Sequence, residues 1–192
     1  MSGFAVRTLV WHPYLPPVEL SEASAEQRAA MQVTPSNTKV SPYVRTLAHD
    51  PESYVARTKL YNQVMYGEGG LDNRYRELGA LVASAVNGCG YCASVHARRH
   101  IALSGASDIA RAIYLEGLDA EFDPRTRAIV DFARALSRTP VAATAGQVQA
   151  LRDQGLTDAE IADLIQSIAM FAWANRLMHT LGHSTPQGGS TP

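Results

Sequence analysis

The chain has 192 residues, 46% of them hydrophobic and 18% charged, with a formal net charge of −1; that length supports one substantial core, as a single domain or two small intertwined halves. The near-neutral charge, with no basic cluster larger than Arg98-Arg99, argues against nucleic acid as a partner. No apolar run approaches the ~20 residues of a membrane span and no leader-like start is present, so the sequence predicts a soluble, cytoplasmic protein acting on a small molecule.

Residues 1–41 read as an N-terminal arm, in which Pro13, Pro16, Pro17 and Pro35, with Pro42 at its edge, break any long element except a helix over Ser21 to Gln32. With Phe4, Leu9, Val10 and Trp11 it can wrap a neighbouring subunit or pack on its own core. Residues 42–182 read as a helical domain, because apolar residues recur at three and four and the breaks carry cap residues. The spacing predicts helices over about 51–65, from Asp72 to Val86, from about Cys89 to Ser104, and from Ser107 to Glu116. Asp123-Pro124 opens the next, to about Arg138, and Thr144 to Gln154 follows. Thr157 to Glu160 is a capping box opening a long last helix to Thr180. Residues 183–192 read as a disordered tail. The fold class is therefore all-α, with a possible internal repeat: laid Glu77 on Glu160, Leu78, Leu81, Val82 and Ala85 fall on Ile161, Leu164, Ile165 and Ile168, and His96 falls on His179.

The chemistry concentrates in the segment from Arg76 to His96. Its two cysteines, the only ones in the chain, form Cys89-Gly-Tyr91-Cys92. So short a loop is a poor structural staple, and in a reducing compartment such a pair is more often catalytic or metal-binding. A thiolate is the reactive form, and both sulfurs fall in the first turn after Asn87-Gly88, where free N–H groups and the helix dipole favour negative charge. His96, one turn beyond Cys92 on the same face, can hold or receive the thiol proton. Cys89 and Cys92 are close enough for a disulfide with modest adjustment. Glu77, twelve residues before Cys89, reaches the thiols only if two antiparallel helices pack closely. Otherwise it stabilises its helix start or pairs with Arg74 or Arg76.

Zinc is the rival, through Cys89, Cys92, His96 and His100. On one continuous helix these four span about 16 Å, too far for a tetrahedral site. No metal or cofactor is expected, His100 reads as a surface or interface residue, and Arg98 and Arg99 read as a solvated face. Met170, Phe171, Trp173 and Met178 on the last helix read as core or subunit interface.

The spacing Glu77, Cys89, Cys92, His96, preceded by Arg-Glu-Leu and Val-Asn-Gly, resembles the alkylhydroperoxidase AhpD-like branch of the carboxymuconolactone decarboxylase family. The resemblance is strongest over 71–104 and extends loosely over 42–182, including Ala-Asn175-Arg-Leu-Met-His179, as in the longer peroxidase-related members. It implies an AhpD-like all-helical bundle that assembles as a homo-oligomer, from dimer to hexamer. It also implies a hydroperoxide substrate, attack by Cys92, resolution by Cys89, proton relay by Glu77 and His96, and an external dithiol reductant such as a lipoyl protein or thioredoxin. Tyr91 stands where the well-known peroxidase has a relay histidine, and is a candidate for that relay. In thioredoxin-like motifs the first cysteine is the nucleophile, whereas here His96 lies beside the second. The alternatives are a dithiol-disulfide oxidoreductase without efficient peroxidase turnover and a non-catalytic redox-sensing scaffold; lactone decarboxylation uses no cysteine pair.

Overall fold

The computed structural model describes residues 6–32 and 40–187. In chain order these form β1 (Leu9–Pro13), α1 (Ala25–Met31), α2 (Pro42–Leu47), α3 (Pro51–Tyr66), α4 (Asn73–Val86), α5 (Gly90–Ser104), α6 (Asp108–Leu115), α7 (Pro124–Leu136), α8 (Ala145–Asp153), α9 (Asp158–Leu181) and β2 (Gly182–Pro186). None of these helices is long and apolar enough to cross a membrane.

The helices begin where side chains can satisfy free backbone N–H groups. Asp72 accepts from Arg74 N, Asp123 from Arg125 N and Thr126 N, and Thr157 and Glu160 form the expected reciprocal box. α2 was not expected: Ser41 caps it and Pro42 occupies its first turn, so a proline read as a breaker is a helix start.

At the centre lies α4, buried continuously from Arg76 to Ser84. It packs most extensively on α5 and α9, and then on α7. Leu78, Leu81, Ile129, Leu164 and Ile168 fill the space between them, so the hydrophobic effect holds the three chemistry-bearing helices as one unit. Arg76 within this run is charged and 2% exposed. It donates to the carbonyls of Val64, Gly67 and Gly69 and pairs with Asp163, fixing the loop before α4.

The candidate repeat is confined to apolar periodicity. Residues 160–179 run through the unbroken α9, while 77–96 turn back between α4 and α5. Leu78 and Ile161 are both buried, but His96 is buried and His179 exposed.

Two expectations about the chain ends are corrected or refined. The tail from residue 183 is not disordered throughout: Gly182–Pro186 pair antiparallel with Leu9–Pro13, in the register Trp11 to Ser184. Residues 188–192 lie outside the described residues. A ladder between segments some 170 residues apart has no local sequence signal; it forms because α9 delivers its end beside the arm. The arm's described residues pack on their own chain, with Val18, Ala30 and Met31 joining Val44 and Tyr54 in a second small core.

Candidate active site

The turn at Asn87-Gly88 makes the site. Gly88 has φ +70°, a left-handed conformation that glycine adopts without steric cost, and it reverses the chain between α4 and α5. Cys89 becomes the N-cap of α5, Cys92 lies in its first turn and His96 in the next. The antiparallel return brings Glu77 back from the start of α4.

Glu77 is 1% exposed and its Oε2 lies 2.5 Å from His96 Nδ1. The carboxylate thus serves the imidazole; Arg74 pairs instead with Asp72. Nδ1–H donating to Glu77 leaves Nε2 as the imidazole acceptor. The ring stands edge-on to Phe171 of α9, with centroids 4.0 Å apart. Among the described residues no hydrogen bond joins His96 to either sulfur; the imidazole and Cys92 instead share the wall of one cavity of about 170 Å³.

The cysteines are free thiols, both buried, with their sulfurs hydrogen-bonded at 2.9 Å. The pair ionises asymmetrically. A hydrogen bond from the Cys92 thiol stabilises a thiolate on Cys89, and the Cys92 backbone N–H, His179 and Asn175 add to it against burial, bringing Cys89 down to about 7. Cys92, hydrogen-bonded to that thiolate and buried, is pushed up. Cys92 lines the cavity and Cys89 does not.

Several residues at this site carried no motif. Trp11 joins both cysteines and Met178 in one small buried cluster, and its indole N–H donates to the Met178 carbonyl at 3.2 Å. An added Cβ on Gly182 would lie 2.3 Å from the Trp11 ring, so a residue without a side chain lets the arm close over the dithiol. Asn175 is fully buried, donates to Ser84 Oγ and accepts from Asn87, tying α9 to the α4–α5 corner. Tyr43, Arg57 and Tyr61 line the same cavity as Cys92.

Other expectations shift. Arg99 is not a simple solvated residue: it lines the cavity, donates to the hydroxyls of Tyr61 and Tyr66, and lies 3.8 Å from Glu77 Oε1. Arg98 stays at the surface side, bonded to Ser94 and Thr8. His100 is not at the surface; it is 1% exposed with Nδ1 at 2.8 Å from the Arg74 carbonyl, and burial lowers its basicity. Tyr91 lines the cavity half-buried, and burial holds its hydroxyl protonated to higher pH than usual. Trp173, expected in core or interface, is 44% exposed on this chain, while Met170, Phe171 and Met178 are buried.

Residues 51–111, which include α3, α4 and the CxxC helix, match the family model of the carboxymuconolactone decarboxylase family. The fold extends the likeness beyond that segment. An uncharacterized peroxidase-related protein of Ralstonia eutropha JMP134, described as an alkylhydroperoxidase AhpD core, is 27% identical with a TM-score of 0.77, over 92% of this chain and 93% of its own. An uncharacterized peroxidase-related protein of Silicibacter sp. TM1040 is 25% identical with a TM-score of 0.73, over 92% and 94%. The debrominase Bmp8, 18% identical with a TM-score of 0.72 over 88% and 90%, shares the fold. No curated protein sequence matches the chain. The match of residues 51–111 to that family model and the AhpD-like helical fold together support a peroxidase-related role for this chain.

Proposed function

We propose that the protein is a thiol-dependent peroxidase that reduces hydroperoxides through a Cys89–Cys92 dithiol/disulfide cycle. The observation that carries this is the shared cavity wall of Cys92 and His96, with the Cys89 sulfur 2.9 Å behind Cys92.

Contact with the cavity favours Cys92 as the attacking sulfur. In the reduced pair carrying one negative charge, the Cys92 proton passes to the Cys89 thiolate across their hydrogen bond. The Cys92 thiolate then attacks the terminal oxygen of ROOH; the S–O bond forms, the O–O bond breaks, and the alkoxide takes its proton from Nε2 of His96, which has first taken up a solvent proton to become an imidazolium paired with the Glu77 carboxylate, yielding Cys92 sulfenic acid and ROH. Cys89, held near 7, returns its proton to the His96–Glu77 pair and attacks the Cys92 sulfur. The disulfide forms and the hydroxyl leaves as water with the relay proton. An external dithiol of the lipoyl or thioredoxin type reduces the disulfide and is itself oxidised.

The low value of Cys89 suits this division of labour. Nucleophilicity falls as thiol pKa falls, while a lower-pKa thiol leaves faster. A reductant attacking Cys92 from the cavity therefore expels Cys89. Tyr91 on the cavity wall is a secondary relay candidate. The same reading keeps the protein in a reducing, cytoplasmic setting and includes assembly as a homo-oligomer. A coupled assay with hydroperoxide and either a lipoyl protein or thioredoxin tests it: sustained turnover with formation of the Cys89–Cys92 disulfide is expected, and two thiols inert to stoichiometric peroxide overturn it.

A further inference from the structure

The cavity beside Cys92 is built for negative charge. Its lining includes Arg57 and Arg99 and no Asp or Glu. Arg99 is partly neutralised, at 3.8 Å from Glu77. Arg57 is not: among the described residues it has neither a hydrogen-bond nor a carboxylate partner, and it lies over the face of Tyr61, 4.5 Å from ring centroid to guanidinium carbon. Residues 1–5, 33–39 and 188–192 contain no Asp or Glu that could pair with it. Next to Arg57, the Tyr43 hydroxyl is buried without a hydrogen-bond partner among the described residues and lines the same space. A half-buried cation and a buried hydroxyl, both without an acceptor among the described residues, line one cavity, and unmade polar contacts of buried groups are costly.

We propose, resting on the peroxidase reading above, that this enclosure selects small organic hydroperoxides that carry a carboxylate. The carboxylate accepts from the planar Arg57 fork and from the Tyr43 hydroxyl, with Arg99 adding positive potential. The apolar body packs on Phe171 and Met178, which complete the wall, and the hydroperoxide end meets Cys92. The small volume, about 170 Å³, is below that of sites for drug-sized ligands and restricts the body to a compact group.

The test separates binding from turnover. Calorimetry on the full-length reduced protein compares 4-isopropylbenzoate with its neutral isostere 4-isopropylbenzamide. The benzoate is expected to bind at least about tenfold more tightly, as a charge-assisted contact implies. Arg57→Met is expected to bring the two within about twofold of each other, and Arg57→Lys to retain part of the preference. In parallel, the KM for cumene hydroperoxide is compared with that for its 4-carboxy derivative, expecting the lower KM for the acid and loss of that difference in Arg57→Met. Equal affinity of the two ligands for the wild-type protein, or an undiminished preference in Arg57→Met, overturns the carboxylate site. Benzoate preference without reduction of either hydroperoxide upholds the site and removes the peroxidase reading.

Discussion

His96 and Glu77, nineteen residues apart in sequence, meet with Nδ1 and Oε2 2.5 Å apart, at positions 2% and 1% exposed. In the proposed cycle the carboxylate orients the ring and supports a positive charge on it during proton transfer. Glu77→Gln keeps the shape but not the charge, and is expected to lower kcat/KM for hydroperoxide about a hundredfold, the scale of lost general acid–base assistance. Steady-state assays over a pH series, with circular dichroism to verify folding, check this. An unchanged rate and pH profile would remove Glu77 from the machinery.

The two sulfurs have separable fates. Cys92→Ser is expected to abolish turnover, whereas Cys89→Ser is expected to leave an oxidised Cys92 with no intramolecular partner. Treating the second variant with one equivalent of peroxide and a sulfenic-acid trap, then reading the adduct by mass spectrometry, tests the assignment. Equal residual activity in both variants contradicts it.

The Cys89 thiol, lowered from 9.0 to about 7 chiefly by its hydrogen bond from Cys92, should be visible as a thiolate absorbance rising near neutral pH in the reduced protein. Cys92→Ala removes the donor while burial persists, so the midpoint should move upward. The sign for stability follows: the folded state ionises before the unfolded thiol does. Through Cys89, reduced protein gains stability as pH rises from about 7 to 9.0, and loses it on acidification through the same window. Comparing denaturation midpoints of wild-type and Cys89→Ala protein across this range isolates the effect.

Gly182 admits the Trp11 ring where a Cβ would lie 2.3 Å from it. Gly182→Ala is expected to push the arm off the cysteines, costing about 1–3 kcal/mol as overpacking does and speeding alkylation of Cys89, which is 3% exposed when covered. Thermal melts and iodoacetamide kinetics measure the two effects. Unaltered alkylation would mean that Trp11 does not shield the dithiol.

Local chemistry made much of this protein readable from its sequence. Helix starts at Asp72, Asp123 and Thr157 were legible because capping involves residues two or three positions apart. The Cys89, Cys92, His96 triplet was legible because helical spacing places i, i+3 and i+4 residues together. Glu77 could be singled out only through the family spacing, since its own helix offered it plausible partners.

Tertiary structure alone decided what surrounds those thiols. The meeting of Glu77 with His96 required α4 and α5 to close on each other at Gly88. The cover of Trp11 required β1 to find β2 across nearly the whole chain, and Arg57, Tyr43 and Arg99 became a cavity wall only when α2, α3 and α5 converged on one space. Such contacts depend on long-range burial of the shared core rather than on any periodicity within a segment. The sequence by itself determined where a reactive thiol pair sits on its helix. Packing determined which cysteine lines the cavity, which thiol is drawn down toward neutral pH, and which side chains surround them.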